Sequence, residues 1–253
     1  MSRKEDIPLL IGIDDTDNAE SRGTGFNARQ LAHKLEAKNL GRVNGITRHQ
    51  LFIHDAIRYT SQNSSACISI ITATPDELKK ECRTFILECS APGSDSGLCI
   101  FRPEKTTPEL LNWGKQAKQS VLNMADAIQL AHDENIYLEG FTGNHEGIIG
   151  ALAAVSLHAG GNDGRYIWRK GIRELREMQA GIFTCEELIK ELMLDEISSL
   201  EGEHPLSSDR IAVNDWIRPL LKNHKSVLIT ERTKKNHAYE WKLTGKEIIR
   251  NIS

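Results

Sequence analysis

This chain is poor in features that would assign a protein class directly. Its 253 residues include five cysteines, and no two of them stand at the short spacing of a zinc knuckle. An odd number of cysteines fits no closed set of disulfides, so we expect reduced thiols. Apolar runs fall short of the roughly 20 residues that span a bilayer, and the N-terminus lacks the apolar core of a signal peptide. We therefore expect a soluble, cytoplasmic protein.

Excess charge of one sign is also missing. The net charge of −3 gives no general reason to expect nucleic acid as a partner. Short apolar segments alternate with helical patterns, which predicts an α/β or mixed α+β fold. Residues 185–215 hold nine acids against two bases, whereas residues 218–250 hold nine bases against three acids. We expect a larger domain with Gly-rich strand-to-helix loops over residues 1–179, and a small C-terminal α+β subdomain with a β-hairpin over residues 180–253.

Two further patterns predict local structure. Apolar spacing favours one long helix from Pro108 to about His132, with Val121 and Ile128 facing inward. The basic run from Arg165 to Arg176 favours the charged face of a helix. Contact with a phosphate or a nucleic-acid strand is the alternative interpretation of that run.

Three carboxylates stand together directly after an apolar run. Residues 8–13 predict a buried strand, and Asp14, Asp15 and Asp17 follow at its end. Crowded carboxylates repel each other unless a cation neutralises them. Residues i and i+2 of an extended segment point the same way, so Asp15 and Asp17 are placed to share a hard cation such as magnesium. The alternative is a solvated acidic turn.

A glycine-bearing turn follows the acids. Gly23, Thr24 and Gly25 precede a helix predicted over residues 26–40. Glycines let backbone N–H groups approach an anion, and the helix offers its positive end. An ordinary helix cap is the alternative for this turn. Next to the acids, the turn favours a metal–phosphate site.

A second loop of this kind occurs later in the chain. Gly143, Asn144 and Gly147 precede a predicted buried helix over residues 148–158. Phosphate binding and close helix packing are equally good interpretations of Gly143 and Gly147. For Gly150, inside the helix, close packing is the better one.

At this point the chain resembles a known family. The run Gly12-Ile13-Asp14-Asp15-Thr16-Asp17 matches the opening signature of the N-terminal ATP-dependent kinase domain of the tRNA-isoleucine agmatinylcytidine synthetases. The segment from Gly143 to Ala154 is similar to the family's glycine loop and Gly-Ala-Leu-Ala-Ala helix. A Lys-Thr-Arg-Gly-Asn element of the family is partly matched by Tyr59-Thr60-Ser61-Gln62-Asn63, which keeps the threonine and asparagine. The resemblance covers residues 9–158.

The resemblance implies a site for ATP and magnesium. Asp14, Asp15 and Asp17 would hold the metal, while Asp15, Asp17 and Arg58 would act in catalysis. The two glycine loops would cradle phosphates, and Arg48, Arg58 or Asn63 would reach the transferred group. The residues that would bind the nucleotide are Gly23, Thr24, Gly25, Arg48, Asn63, Gly143, Asn144 and Gly147.

The chain departs from the family in ways that limit the function we expect. The family's lysine and arginine are absent from residues 59–63, where cationic groups would stabilise phosphoryl transfer. The OB-type and zinc-ribbon domains that hold tRNA in the family have no expected counterpart, so we expect a stand-alone relative acting on a small molecule or an RNA group. A nucleotide-binding module without catalysis is the first alternative. An aspartyl-phosphate phosphohydrolase using the Asp15-Thr16-Asp17 pattern is the second.

Overall fold

The computed structural model of the chain describes residues 5–59, 62–170, 175, 177–233 and 238–253. Thr60 and Ser61 of the partly matched family element lie outside the described residues, as do Arg173 and Arg176 of the basic run. The described chain divides into two units, residues 1–160 and 161–253. The change in composition predicted a domain boundary after residue 179. That domain boundary stays a prediction.

An antiparallel sheet is the frame of the N-terminal unit. In chain order the elements of this unit are β1 (Ile7–Asp14), α1 (Thr24–Ala37), β2 (Arg42–Gln50), β3 (Ser64–Thr72), α2 (Pro75–Cys89), β4 (Gly97–Phe101), a 3-10 turn (Pro103–Lys105), α3 (Pro108–Ala117), α4 (Met124–Asp133), β5 (Tyr137–Gly140) and α5 (Gly147–Ala159). The strands lie in the order β5-β4-β1-β3-β2, and every neighbouring pair is antiparallel. The first six elements form a βαββαβ unit with strand order 4-1-3-2, which is the ferredoxin-like arrangement.

Helices cover both faces of this sheet. On one face α5 lies so close to β1 that a Cβ added at Gly12 would stand 2.1 Å from the carbonyl oxygen of Ala151. Side chains alternate along a strand, so Ile11 and Ile13 point to the opposite face, where both are fully buried. Helices α1 and α2 pack on that second face. Helices α3 and α4 pack against α5 and complete the apolar layer on its far side.

The predicted long helix over residues 108–132 is wrong. Helix α3 ends at Ala117 and α4 begins at Met124. Asn123 is extended, and its side chain accepts a hydrogen bond from the N–H of Asp126, which starts a new helix. As a result Val121 and Ile128, expected to face inward, are about half exposed, at 47% and 57%.

Among its described residues, the C-terminal unit contains seven strands and two short helices. The elements are β6 (Arg165–Arg169), β7 (Gly181–Thr184), α6 (Cys185–Leu192), β8 (Glu196–Ser198), β9 (Arg210–Val213), β10 (Leu220–Lys222), β11 (Lys225–Arg232), β12 (Trp241–Leu243) and α7 (Lys246–Asn251). The strands lie in the order β6-β10-β11-β12-β9-β7, and β8 pairs in parallel with β11. The predicted hairpin is confirmed, because β11 and β12 pair antiparallel; residues 234–237 of its turn lie outside the described residues.

The first part of the basic run forms a strand where a helix face was expected. Arg165 to Arg169 are β6, and Arg165, Tyr166 and Trp168 are buried. Aromatic and β-branched residues at this spacing suit a strand that is buried on both faces. The helical interpretation failed because the charges were assumed to be exposed.

The fold class expected from the sequence is confirmed as a mixture of helices and mostly antiparallel strands. All five cysteines are unpaired. Among the described residues, no helix combines the length and apolar character needed to cross a membrane.

Candidate functional site

The acidic loop begins where β1 ends. Asp14 is the last residue of β1 and pairs with Gly97 of β4. Its side chain points toward α5, where a Cβ added at Gly150 would stand 1.7 Å from Asp14 Oδ2. Asp15 follows with a φ of 48°, in the left-handed region, which ends the extended strand. The strand alternation that predicted Asp15 and Asp17 on one side therefore does not apply here.

Asp17 is bound to the start of α1. Its Oδ1 accepts hydrogen bonds from the Thr24 backbone N–H at 2.9 Å and from the Thr24 hydroxyl at 2.7 Å. The same hydroxyl oxygen accepts from the backbone N–H and the hydroxyl of Thr16, both at 3.1 Å. A carboxylate in this place satisfies an N–H at the helix end and faces the positive end of the helix dipole. Asp17 and Thr24 thus hold the acidic loop against α1.

A second buried carboxylate, Asp95, connects the neighbouring loops. It is 2% exposed. Its backbone N–H donates to Asp15 Oδ2 at 3.1 Å, and its backbone oxygen accepts from the N–H of Gly147 at 2.8 Å. Its Oδ1 accepts from the N–H of Asn144, and its Oδ2 lies 3.4 Å from Nη1 of Arg58. One residue therefore ties the acidic loop, the loop carrying Arg58 and the second glycine loop together.

Two cavities that share several lining residues lie at this point. The larger has a volume of about 140 Å³ and the smaller about 40 Å³. Asp14, Asp15, Arg58 and Asn63 line both cavities. The larger one continues along an apolar wall that includes Leu51, Ile57, Ala117, Val121 and Leu122. The smaller one reaches Asp17, Thr24 and Ser64. The larger cavity thus has an apolar wall as well as polar lining residues, which also include Ser120 and Glu146.

Burial raises the pKa values of the two central carboxyls, Asp14 and Asp15. Desolvation raises the pKa of Asp14 to about 8, and the negative charge of Asp15 adds to this rise. Desolvation also raises the pKa of Asp15 to about 6. The hydrogen bond from the Asp95 backbone N–H opposes this second rise, while the negative charge of Asp95 adds to it. A cation between the two carboxyls would favour their ionised forms, so the pair is suited to hold one.

The three predicted metal ligands are not gathered into one group. Within the described ranges, no cluster of three or more His, Cys, Asp or Glu side chains is arranged to hold a metal ion. Asp17 lines the smaller cavity but turns its Oδ1 toward Thr24, whereas Asp14 and Asp15 line both cavities. Magnesium is typically held by one or two carboxylates, with phosphate oxygens and water as the other ligands. Asp14 and Asp15 fit that mode, and their metal role stays a prediction.

The positively charged and amide groups expected near the acids are close to them. Nη2 of Arg58 donates to the Gly93 carbonyl at 2.8 Å. Nε of Arg48 donates to the Ser64 hydroxyl at 2.9 Å, and the positive charge of Arg48 lowers the pKa of Asp14 slightly. The side-chain amide of Asn63 donates to the Phe52 carbonyl at 2.7 Å, which fixes its position.

The second glycine loop is closed around Asp95. Gly143 has a φ of +56°, and an added Cβ would stand 1.8 Å from Asp95 Oδ1. A Cβ on Gly147 would stand 2.4 Å from the Asp95 carbonyl oxygen. Close packing therefore accounts for both glycines, and the backbone N–H groups of Asn144 and Gly147 are bonded to Asp95. Phosphate binding by this loop stays a prediction, as it does for Gly23 to Gly25.

Sequence reasoning missed Asp95, Ser64 and Glu146, which take part in this site. Asp95 stands in the Gly/Ser-rich loop that precedes β4. An acid inside such a loop is usually solvated, so its burial had no clear signal in the sequence. Glu146 belongs to the second glycine loop but was given no role.

Comparison with known proteins finds similarity at the level of structure. No family model and no curated protein matches the chain. A solved structure of apo TiaS, a tRNA agmatidine synthetase, is 23% identical with a TM-score of 0.52, over 59% of this chain and 35% of that one. A complex of TiaS with tRNA and ATP is 23% identical with a TM-score of 0.53, over 59% and 36%.

A third structure extends the match to most of this chain. A complex of TiaS with tRNA, AMPCPP and agmatine is 17% identical with a TM-score of 0.53, over 97% of this chain and 55% of that one. The chain thus spans about a third to about half of the length of these relatives. At such identities the common feature is the fold, and this chain has the fold of TiaS over 59% to 97% of its length.

Proposed function

We propose that this chain is a magnesium- and ATP-dependent enzyme that transfers a phosphoryl or nucleotidyl group to a small molecule or to an RNA group. The observation that carries the proposal is the pair Asp14 and Asp15, which faces Arg58 and Asn63 in shared cavities at the end of β1. The fold supports it, because solved structures with this fold include TiaS complexes with ATP and AMPCPP.

Asp14 and Asp15 would hold the magnesium ion. Their raised pKa values reflect a desolvation that the positive charges of Arg48 and Arg58 offset only in part, and a divalent cation would offset more of it. When bound, the ion would neutralise phosphate charge and orient the phosphate chain. Asp17 would act indirectly in this scheme, by fixing the acidic loop through Thr24.

The cavity favours the phosphate end of a nucleotide over the whole molecule. Its volume of about 140 Å³ is below the roughly 300–1,000 Å³ that is usual for small-molecule sites. Arg58 and Asn63 line both cavities with the acids, whereas Arg48 lines neither but has a charge that lowers the pKa of Asp14. Both arginines would contact phosphate oxygens, with Asn63 as a neutral donor. An arginine guanidinium suits this role because its planar fork matches phosphate oxygens.

The acceptor is proposed only as a class. The matching TiaS complexes contain tRNA, and one also contains agmatine. This chain spans only part of those proteins, so tRNA and agmatine remain candidates to be tested for it, alongside other small molecules.

A non-catalytic nucleotide-binding module is the second candidate. The hydrogen bonds that Asp17 accepts from Thr24 favour this candidate. Of the three acids, Asp14 and Asp15 line both cavities. Such a module would bind ATP tightly and release no product over long incubation.

Asp15→Asn tests the enzyme directly. The exchange keeps the shape of the side chain and removes its charge, so we expect ATP turnover to fall by about a hundredfold or more, as on loss of a group that stabilises the transition state. Turnover is measured by release of phosphate, pyrophosphate or labelled product across candidate acceptors. Asp209→Asn is the matched control, because Asp209 also accepts N–H donors, from Leu206 and Trp241, in the C-terminal unit.

Unchanged turnover in Asp15→Asn would reject the assignment. A phosphoaspartate trapped on Asp15 would instead favour the aspartyl-phosphate phosphohydrolase, which has no support from the contacts around Asp15.

A further inference from the structure

A buried carboxylate anchors an exposed arginine beside the cavities. The Asp95 side chain is 2% exposed, whereas that of Arg58 is 67% exposed. Nη1 of Arg58 lies 3.4 Å from Asp95 Oδ2, and Nη2 donates to the carbonyl of Gly93 at 2.8 Å. Two nitrogens of one guanidinium are thus held by a single loop. This restrains the orientation of a side chain that otherwise has many rotamers.

The surroundings are shaped to hold Asp95 in place. Its other carboxylate oxygen accepts from the N–H of Asn144, and its backbone N–H and carbonyl oxygen bond Asp15 and Gly147. Gly143 has no side chain where an added Cβ would stand 1.8 Å from Asp95 Oδ1. The carboxylate has little room to turn, so the direction in which it presents Oδ2 to Arg58 is fixed.

We propose that Asp95 is a positioning residue that orients the Arg58 guanidinium toward the Asp14–Asp15 end of the cavities. The inference rests on the proposed function, because a phosphate group is the ligand that Arg58 would meet there. An arginine held in advance loses less conformational freedom when it contacts phosphate oxygens, so the contact is stronger. Asp95 itself contacts neither the phosphate nor the metal in this proposal.

A purely structural role for Asp95 makes a different prediction. If Asp95 only supports the loop at Asn144, its replacement would harm the site equally with or without Arg58. If Asp95 acts through Arg58, its replacement would have no further effect once Arg58 is gone. Coupling between the two residues therefore separates the two roles.

The first test needs no nucleotide. Phenylglyoxal reacts with arginine guanidinium groups, and its rate at Arg58 is followed by peptide mass spectrometry. Asp95→Asn keeps the side-chain shape but removes the charge, so we expect several-fold faster modification of Arg58. Asp209→Asn should leave the rate unchanged. An unchanged rate at Arg58 in folded Asp95→Asn would overturn the proposal. Asp95→Ser, which is smaller and still polar, provides the same comparison if Asp95→Asn does not fold.

The second test is a double-mutant cycle on ATP binding with magnesium, using Asp95→Asn, Arg58→Ala and both together. We expect Asp95→Asn to weaken binding or kcat/KM by about ten- to a hundredfold, the scale of a misplaced group, and to cause no further loss in the Arg58→Ala background. Equal losses in both backgrounds would overturn the proposal. A wild-type protein that binds no ATP would reject the proposed function, while Arg58 reactivity would still decide the role of Asp95.

Discussion

Asp15 and Asp17 stand two residues apart in the sequence and have different partners in the structure. The backbone of Asp15 takes a φ of 48°, so its carboxylate meets the N–H of Asp95 while that of Asp17 meets Thr24. The pattern of acids predicted crowded carboxyls, and Asp14, Asp15 and Asp95 do lie near one another, while the metal role of the acids stays a prediction. It could not reveal the turn at Asp15 or the buried Asp95, because both depend on contacts between residues about 80 positions apart.

The raised pKa of Asp14 predicts that the stability of the protein depends on pH. Desolvation raises its pKa from the ordinary 3.8 to about 8. The folded state therefore keeps a proton that the unfolded state releases, and this group's contribution to stability is present at low pH and lost as pH rises through about 8. Asp14→Asn removes the effect, so we expect it to raise Tm at alkaline pH without divalent cations, by roughly 2–4 °C per kcal/mol.

Thermal unfolding of wild type and Asp14→Asn is measured in EDTA at about pH 4.5 and about pH 8. Most of the expected loss of the Asp14 contribution to stability falls between these two pH values. The Tm difference should grow with pH. A difference that is the same at both values would contradict the assignment of a desolvated Asp14.

At the scale of elements, the approach of α5 to the sheet decides where the site can form. Gly12 on β1 and Gly97 on β4 let α5 lie close, since added Cβ atoms would stand 2.1 Å and 2.2 Å from backbone atoms of α5. The small residues of α5 predicted a tightly packed helix correctly. The break between α3 and α4 was not predicted, because the hydrophobic pattern continues through it and only the Asn123 cap marks the new start.

Gly12→Ala tests the close approach. A glycine-to-alanine change in a strand interior usually stabilises by roughly 0.5–1 kcal/mol. At Gly12 the new Cβ would meet the backbone oxygen of Ala151 at 2.1 Å. Backbone cannot move as a side chain can, so we expect a loss of about 1–3 kcal/mol in the free energy of unfolding.

Chemical denaturation of Gly12→Ala measures this loss. Gly160→Ala is the matched control, because Gly160 has a φ of −68° and the atom nearest to its added Cβ would be at 3.4 Å. The control should be neutral or slightly stabilised. Equal stability of Gly12→Ala and wild type would show that α5 does not lie against β1 as described.

Asn123→Ala tests the start of α4. Its Oδ1 accepts from the Asp126 N–H at 2.9 Å, and loss of such a cap costs about 1 kcal/mol. Asn112→Ala, on the exposed face of α3, should be neutral or stabilising because alanine is the better helix former. Urea denaturation measures both variants. No destabilisation in Asn123→Ala would favour the single long helix that the sequence predicted.

At the scale of the whole molecule, the sequence predicted the mixed fold but not the pairing of the strands in the N-terminal sheet. The alternation of apolar segments predicted the mixed fold and the hairpin of β11 and β12. It did not predict that every neighbouring strand pair of the N-terminal sheet is antiparallel, because strand order depends on contacts distant in sequence. The resemblance drawn from residues 9–158 agrees in length with the 59% of the chain that two TiaS structures cover, and a third TiaS structure covers 97%.

Thermal unfolding of the full chain with ATP, with magnesium, and with both is the most direct test of the central claim. The claim is that Asp14 and Asp15 form a joint site for the ion and the phosphates. Binding to the folded state alone should stabilise it by about 2.7 kcal/mol at a hundredfold excess over Kd. We predict this shift only when both ligands are present, and its loss in Asp15→Asn. An equal shift with ATP in EDTA, or an unchanged shift in Asp15→Asn, would contradict the account.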